Sequence, residues 1–261
     1  MRPPAVMGVV NVTPDSFSDG GRYFDQGAAV AHGLELVAEG AAVIDVGGES
    51  TRPFADPVDP EEEQRRVVPV IRALAPHVRV SIDTRHASTA EAAIEAGATL
   101  VNDVSASLAK VAAAHDVGWV AMHMLGDPRT MQVGPVYGDV VAEVRQFLVS
   151  RADEAVAAGV EEVWIDPGIG FGKTAAHNLA LLRALPALVA VGEPVLVGTS
   201  RKGILGALTG GAPVEDRLEA SVATAVWAMT RGAAMVRVHD VAATLQAARL
   251  VGDDVDLEEA S

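Results

Sequence analysis

Eight polar side chains close eight short apolar runs: Asn11, Asp45, Asp83, Asn102, His123, Asp166, Ser200 and His239. A lone Asp at such a place is most often a helix cap or a turn former. Eight together are harder to assign to capping. Buried polar groups are costly without partners, so a converging set implies a polar ligand that satisfies them. Asp83, Asn102 and Asp166 supply two carboxylates that accept and one amide that both donates and accepts. That set suits a flat heterocycle bearing amino and N–H donors and a carbonyl. Cations gather after the second, sixth, seventh and eighth runs, as Arg52, Lys173, Arg201-Lys202 and Arg237. Arg237 and His239 stand two apart, which on a strand turns both to one side, where they can clamp a phosphate.

Three further stretches refine this chemistry. GIGFGKT, residues 168–174, is not a P-loop, because that pattern needs Gly where Pro167 stands. It is not the dinucleotide-binding GxGxxG either, since Lys173 replaces the last Gly. It reads as a βα loop whose backbone lies close to something flat. In GTSRKG, residues 198–203, Gly198 permits close approach at the end of the seventh run. Ser200 to Gly203 then open a helix over Ile204 to Leu208, whose N-terminus beside Arg201 and Lys202 suits an anion. Thr13 to Gly21, with Phe17 as its one apolar contact and Gly20-Gly21 for flexibility, reads as a lid. No HE-type zinc signature is present, and His123 alone reads as a structural or hydrogen-bonding side chain.

The runs that position these residues are VMGVVNV, AAVIDVGG, VRVSIDT, TLVNDV, GWVAMHM, EVWIDPG, PVLVGTS and AMVRVHD. Most are continuous rather than alternating, the pattern of strands buried on both faces of a parallel sheet. Helical stripes lie between them. One is Val30, Leu34, Val37 and Ala41; another is Val67, Val70/Ile71 and Leu74. A third is Val140/Val141, Val144, Phe147/Leu148, Ala152 and Ala155, and the last helix covers Val241 to Leu250. Eight strand–helix alternations predict an α/β fold, a (β/α)8 TIM barrel. A doubly wound open sheet is the rival, and eight units without an extra edge strand favour closure. No linker divides the chain, so residues 1–261 read as a single domain, with a core of about 6–252 and an acidic C-terminal tail of about 253–261. The wide gap between His123 and Asp166 leaves an irregular stretch, Leu125 to Tyr137, ahead of the fifth helix.

Composition narrows the partners. The formal net charge is −15, which argues against nucleic acid or an anionic membrane. An anionic small substrate has to be held by local cations against that field. There is no cysteine, so disulfides, thiolate catalysis and Cys-based zinc sites are excluded. No apolar run reaches the roughly 18 residues of a membrane span, and no signal-like apolar core opens the chain. The expected compartment is the cytoplasm.

The motifs NVTPDSFSDGG, DVGGESTRP, SIDT, NDVS, MH, DPGIGFGKT, GTSRK and RVHD, in this order from about Met7 to about Leu250, resemble bacterial dihydropteroate synthase. The resemblance implies a (β/α)8 barrel that joins 6-hydroxymethyl-7,8-dihydropterin diphosphate to p-aminobenzoate, with magnesium as cofactor, releasing pyrophosphate and 7,8-dihydropteroate. It implies a pterin pocket of Asp83, Asn102, Asp166, Phe171, Gly198 and Lys202. Arg237, His239 and Asn11 bind the diphosphate in that reading, with Asn11 also touching magnesium. Phe17 and Pro53 flank p-aminobenzoate. Asp19, Thr51 and Arg52 act from the same two loops, and Lys202 is counted with them in catalysis. The path is SN1-like and the assembly a homodimer. Two departures stand out. Gly203 occupies a place where many members carry Ser or Arg, and Ala106-Ser107 runs almost directly into Leu108-Ala109-Lys110.

Overall fold

Continuous Val/Ile runs have no polar face to turn to water, so both their faces must be covered. The computed structural model, which describes residues 4–13, 26–50 and 57–251, does this with a ring of strands inside a shell of helices. The strands are β1 Ala5–Asn11, β2 Val43–Gly47, β3 Arg79–Asp83, β4 Leu100–Asp103, β5 Gly118–Met122, β6 Val163–Asp166, β7 Leu196–Val197 and β8 Met235–Val238. All pair in parallel, in the order β6-β5-β4-β3-β2-β1-β8-β7. A parallel bridge between Ile165 and Val195, with Ile165 N donating to Pro194 O at 3.0 Å, joins β6 to the start of β7. The sheet therefore closes on itself, as eight repeats without an edge strand predict.

The helices are α1 Gln26–Ala38, α2 Pro60–Leu74, α3 Ala87–Glu95, α4 Ala109–Ala114, α5 Val140–Ala157, α6 Ala175–Arg183, α7 Leu185–Val189, α8 Gly203–Leu208, α9 Leu218–Thr230 and α10 Val241–Val251. No helix among the described residues is long and apolar enough to cross a membrane. The stripes expected on α2 and α5 are their buried faces. The stripe expected on α1 is not. Its buried residues are Ala29, Gly33 and Leu36, whereas Leu34 is exposed and Val30 and Val37 are only partly buried. Gly33 explains the rotation: a Cβ there would lie 2.7 Å from Leu74 Cδ1. The helix thus seats its smallest residue on Leu74, and close approach outweighs the longer aliphatic stripe.

Side chains alternate between the barrel interior and the helical shell along each strand. Met7, Val43, Leu100, Val120, Leu196 and Met235 form a buried cluster distinct from the larger core under the helices. Two residues onward, the same inward rows hold Asp45, Asn102 and Arg237 beside Val9, Met122 and Gly198. Asp166 follows Trp164 in the same way. The interior thus turns from apolar to polar in one strand step toward the strands' C-terminal ends, the end where barrels of this kind place their chemistry.

The opposite end is closed by charge. Arg79 reaches Glu162 through two parallel hydrogen bonds, Nη1 to Oε1 at 2.8 Å and Nη2 to Oε2 at 2.6 Å. Trp164 Nε1 donates to the same carboxylate at 2.7 Å. Burial pushes this carboxyl up, but the hydrogen bonds from Arg79 and Trp164 outweigh it and hold it below its usual value. Glu162→Ala is expected to lower stability by about 1 kcal/mol, the modest size of a partly exposed ion pair. A carboxylate with a depressed pKa contributes stability above its unfolded pKa and loses it as pH falls through the folded one. In urea melts the gap between wild type and variant should shrink below about pH 4. A gap that stays constant to pH 3 would rule out the ion pair as its source.

Candidate active site

The polar end of the interior is organised around Arg237. Its Nε donates to Asp45 Oδ2 at 2.6 Å and its Nη2 to Asp83 Oδ2 at 2.8 Å. The same Asp45 oxygen accepts from Asn102 Nδ2 at 3.0 Å. Register produces this meeting. β1 lies between β2 and β8, so Asp45 and Arg237 point inward on either side of it, while Asp83 and Asn102 are paired neighbours on β3 and β4. Asp166, at the end of β6, accepts from Gly168 N at 2.7 Å. Lys202, the N-cap of α8, donates to Ile169 O at 2.6 Å and lies 4.6 Å over the Phe171 ring. Gly198 separates the two cations: a Cβ there would sit 3.6 Å from Arg237 Cβ and 3.7 Å from Lys202 Nζ. A longer side chain would fill the space between them.

Three carboxylates and two cations thus share one small volume, and burial and neighbouring charge shift Asp83, Asp166, Lys202 and Arg237. Burial pushes Asp83 up to about 7; Arg237 pulls it down, and Asp45 pushes it up again. Burial also raises Asp166, against Lys202 and the Gly168 N–H, which lower it. Lys202 is brought down to about 8 by burial, despite the attraction of Asp166. Burial works against the charge on Arg237, but Asp45 and Asp83 more than offset it and hold the guanidinium protonated. A group of perturbed acids and bases at the catalytic end of a barrel marks a candidate active site.

The structure corrects several expectations. The glycines of the loop 168–174 serve contacts within the protein. Gly168 and Gly172 have φ of 65° and 60°, and Cβ atoms there would fall 1.9 Å from His123 O and 2.4 Å from Leu125 O. The glycines let this loop pack on the backbone of the loop after β5. Lys173 is not a substrate-facing cation. It is 3% exposed, and its Nζ lies 2.9 Å from His123 Nδ1 and donates to the carbonyls of His123, Gly168 and Phe171 at 2.9–3.1 Å. Burial lowers it to about 7, and burial followed by Lys173 lowers His123 to about 3, so His123 is the hydrogen-bonding residue expected. Arg201 turns outward to Asp240. Arg237 and His239 take separate partners: the His239 N–H donates to Ser200 Oγ, and its Nδ1 lies 3.0 Å from that hydroxyl. Asn11 closes β1 beside Gly47.

Phe17, Asp19, Thr51, Arg52, Pro53 and the acidic tail lie outside the described residues. The described ends of the second βα loop are joined by Glu49, whose Oε1 accepts from Val58 N at 3.1 Å while Arg85 pairs with both its oxygens. The short segment after Asn102 is ordered by Asp103, which accepts from the N–H groups of Ser105, Ser107 and Leu108, from Ser105 Oγ and from Trp119 Nε1. Asp45 joins this cluster, although the strand-end pattern marked it without assigning it a partner. Its partner is 192 positions away, so only the inward period of two could have hinted at it.

Residues 7–239 match the family described as pterin binding enzyme. Dihydropteroate synthase of Mycobacterium leprae is 50% identical over 97% of this chain and 94% of its own length. The structure of Xanthomonas albilineans dihydropteroate synthase with 4-aminobenzoic acid superposes with a TM-score of 0.90 at 49% identity, covering 96% of this chain and 92% of that one. The same enzyme in complex with 7,8-dihydropteroate gives a TM-score of 0.87 at 46% identity, covering 96% and 93%.

The packing of the 168–174 loop is open to a paired test. Gly168→Ala forces a side chain into a carbonyl and should cost at least about 2 kcal/mol in chemical denaturation. Gly203→Ala, where a Cβ meets nothing within 4 Å, should stay within about 0.5 kcal/mol of wild type. Equal effects would mean that the tight backbone contact is not what fixes this loop.

Proposed function

The chain belongs to the pterin-binding enzyme family, as a transferase of the dihydropteroate synthase kind, and from that premise we propose how its site works. The substrates of this reading are 6-hydroxymethyl-7,8-dihydropterin diphosphate and p-aminobenzoate, and the products 7,8-dihydropteroate and pyrophosphate. The observation that carries it is the meeting of Asp83, Asn102, Asp166 and Lys202 with Arg237 at one barrel mouth. The ligands of the Xanthomonas structures, 4-aminobenzoic acid and 7,8-dihydropteroate, support it.

Asp83 and Asp166 accept from the amino and ring N–H groups of the pterin, while Asn102 and Lys202 serve its acceptors. Phe171 and Gly198 shape the pocket wall. Arg237, with Asn11 and His239, holds the diphosphate. As the C–O bond breaks, its electron pair leaves with pyrophosphate, and the growing negative charge meets the guanidinium. The electron-rich dihydropterin carries the cationic methylene left behind, which makes the path dissociative and SN1-like. The amine of p-aminobenzoate then forms the C–N bond and sheds a proton. No side-chain nucleophile is needed, in keeping with a chain that has no cysteine. Phe17 and Pro53 flank the p-aminobenzoate ring, and Asp19, Thr51 and Arg52 belong to loops that keep water from the cation.

Magnesium fits the donor set. Asn11 offers one amide oxygen, and among the described residues no three His, Asp or Glu side chains gather to cage a metal. That suits an ion held chiefly by phosphate oxygens and water. Bound there, it would neutralise charge on the diphosphate. We place the enzyme in the cytoplasm as a homodimer, supported by the exposed Leu208, Val214, Leu218 and Trp227 on and between α8 and α9. Light scattering of the purified protein should give the dimer mass, and a monomer at working concentration would remove that part of the reading.

The deciding assay incubates the protein with the dihydropterin diphosphate, p-aminobenzoate and magnesium. Both pyrophosphate and dihydropteroate should form. Arg237→Ala and Asp83→Asn should each lose about a hundredfold in kcat/KM while staying folded. No turnover with pterin binding retained would make the chain a pterin-binding protein without the synthase reaction.

A further inference from the structure

Asp45 has no role in the reading above, yet it is the most enclosed group of the cluster. It is fully buried, on an inward position of β2, and one of its oxygens accepts from both Arg237 and Asn102. Two residues assigned to different halves of the substrate are therefore tied to one atom. Asp83 takes a second edge of the same guanidinium, so Arg237 faces two carboxylates. A cation paired in this way is a weakened anion receptor. Any diphosphate it holds competes with counter-charges that the fold keeps in place.

We infer that Asp45 is a positioning residue that sets how strongly Arg237 grips the diphosphate, holding the guanidinium in aim while keeping its hold weak enough for pyrophosphate to leave. This rests on the reading of Arg237 as a diphosphate ligand. Asp45 acts on the site in two separable ways. Through geometry it fixes the Arg237 and Asn102 side chains to each other. Through charge it weakens the attraction of Arg237 for phosphate oxygens and raises the proton affinity of its neighbour Asp83.

Asp45→Asn separates the two, because the amide is isosteric and keeps an acceptor for both donors but removes the charge. The oxygen it replaces, Oδ1, is buried and has no hydrogen-bond partner among the described residues, so the amide nitrogen displaces no existing bond. Inorganic pyrophosphate with magnesium chloride, titrated by calorimetry, should bind this variant about tenfold more tightly than wild type, the equivalent of one pKa unit of interaction. A role in packing alone would weaken or spare that binding.

A second readout is the pH dependence of pterin binding. Asp83 accepts most strongly from the pterin when ionised. It stands at about 7 in the wild type, raised by burial, with Arg237 and Lys202 favouring the ionised form and Asp45 and Glu63 opposing it. Pterin affinity should therefore fall below that pH. Without the Asp45 charge the fall should move to lower pH. Asp45→Ser, smaller and still an acceptor, serves if the amide disturbs folding as judged by circular dichroism. Unchanged or weaker pyrophosphate binding in the folded variant, with Arg237→Ala weaker than wild type, overturns the inference. Wild-type pyrophosphate binding by Arg237→Ala would instead overturn the assignment of Arg237 to the diphosphate, and the inference with it.

Discussion

A guanidinium inside a barrel needs anions around it, and that requirement fixes much of what surrounds Arg237. An unpaired buried charge costs several kcal/mol, whereas one with well-placed partners is tolerable. Arg237 finds Asp45 from β2 and Asp83 from β3, and Asn102 from β4 completes the contact with Asp45. Four strands must therefore present inward side chains at one height. The contiguous pairing of β8, β1, β2, β3 and β4 sets that height, and the bridge between Ile165 and Val195 completes the ring. The electrostatic cluster thus depends on the register of five neighbouring strands.

The fold was legible because its signal is repeated. Eight apolar runs with polar ends identify a barrel, and each run became a strand. The members of the site were legible for a related reason, since a polar residue ending a buried strand has few places to go. Partnership was not. The spacing of Arg237 and His239 places them on one side of a strand, but β8 ends at Val238, and His239 turns to Ser200 instead. Nothing local announces that Asp45 will meet Arg237, because strand register is a property of the whole ring.

Small residues misled in a consistent direction. Gly33 looks like a flaw in an apolar stripe, yet it is the point where α1 touches Leu74. The glycines of 168–172 look like a cradle for a ligand, yet two of them are there to clear neighbouring carbonyls. Lys173 next to them looks like a cation for an anion, yet three carbonyls and His123 surround its amine. In each case the missing information is what lies opposite, and sequence patterns describe only one side of a contact. The loop still bears on the site indirectly, since Lys173 holds the carbonyl of Phe171 while Lys202 lies over the ring of that same residue.

A net charge of −15 poses its own problem for the diphosphate substrate proposed above. Long-range attraction cannot gather such a substrate, because beyond about 8 Å at physiological salt the field is largely screened and what remains is repulsive. Capture must come from contacts made at short range, and the cations that make them face inward. Arg237 and Lys202 are both set among carboxylates. Selectivity then falls on shape and hydrogen bonding at the pterin end. On the proposed reading the same arrangement favours turnover: once the C–O bond is broken, the pyrophosphate has lost its tether to the pterin. It is left with a partly neutralised arginine on one side and an anionic protein around it.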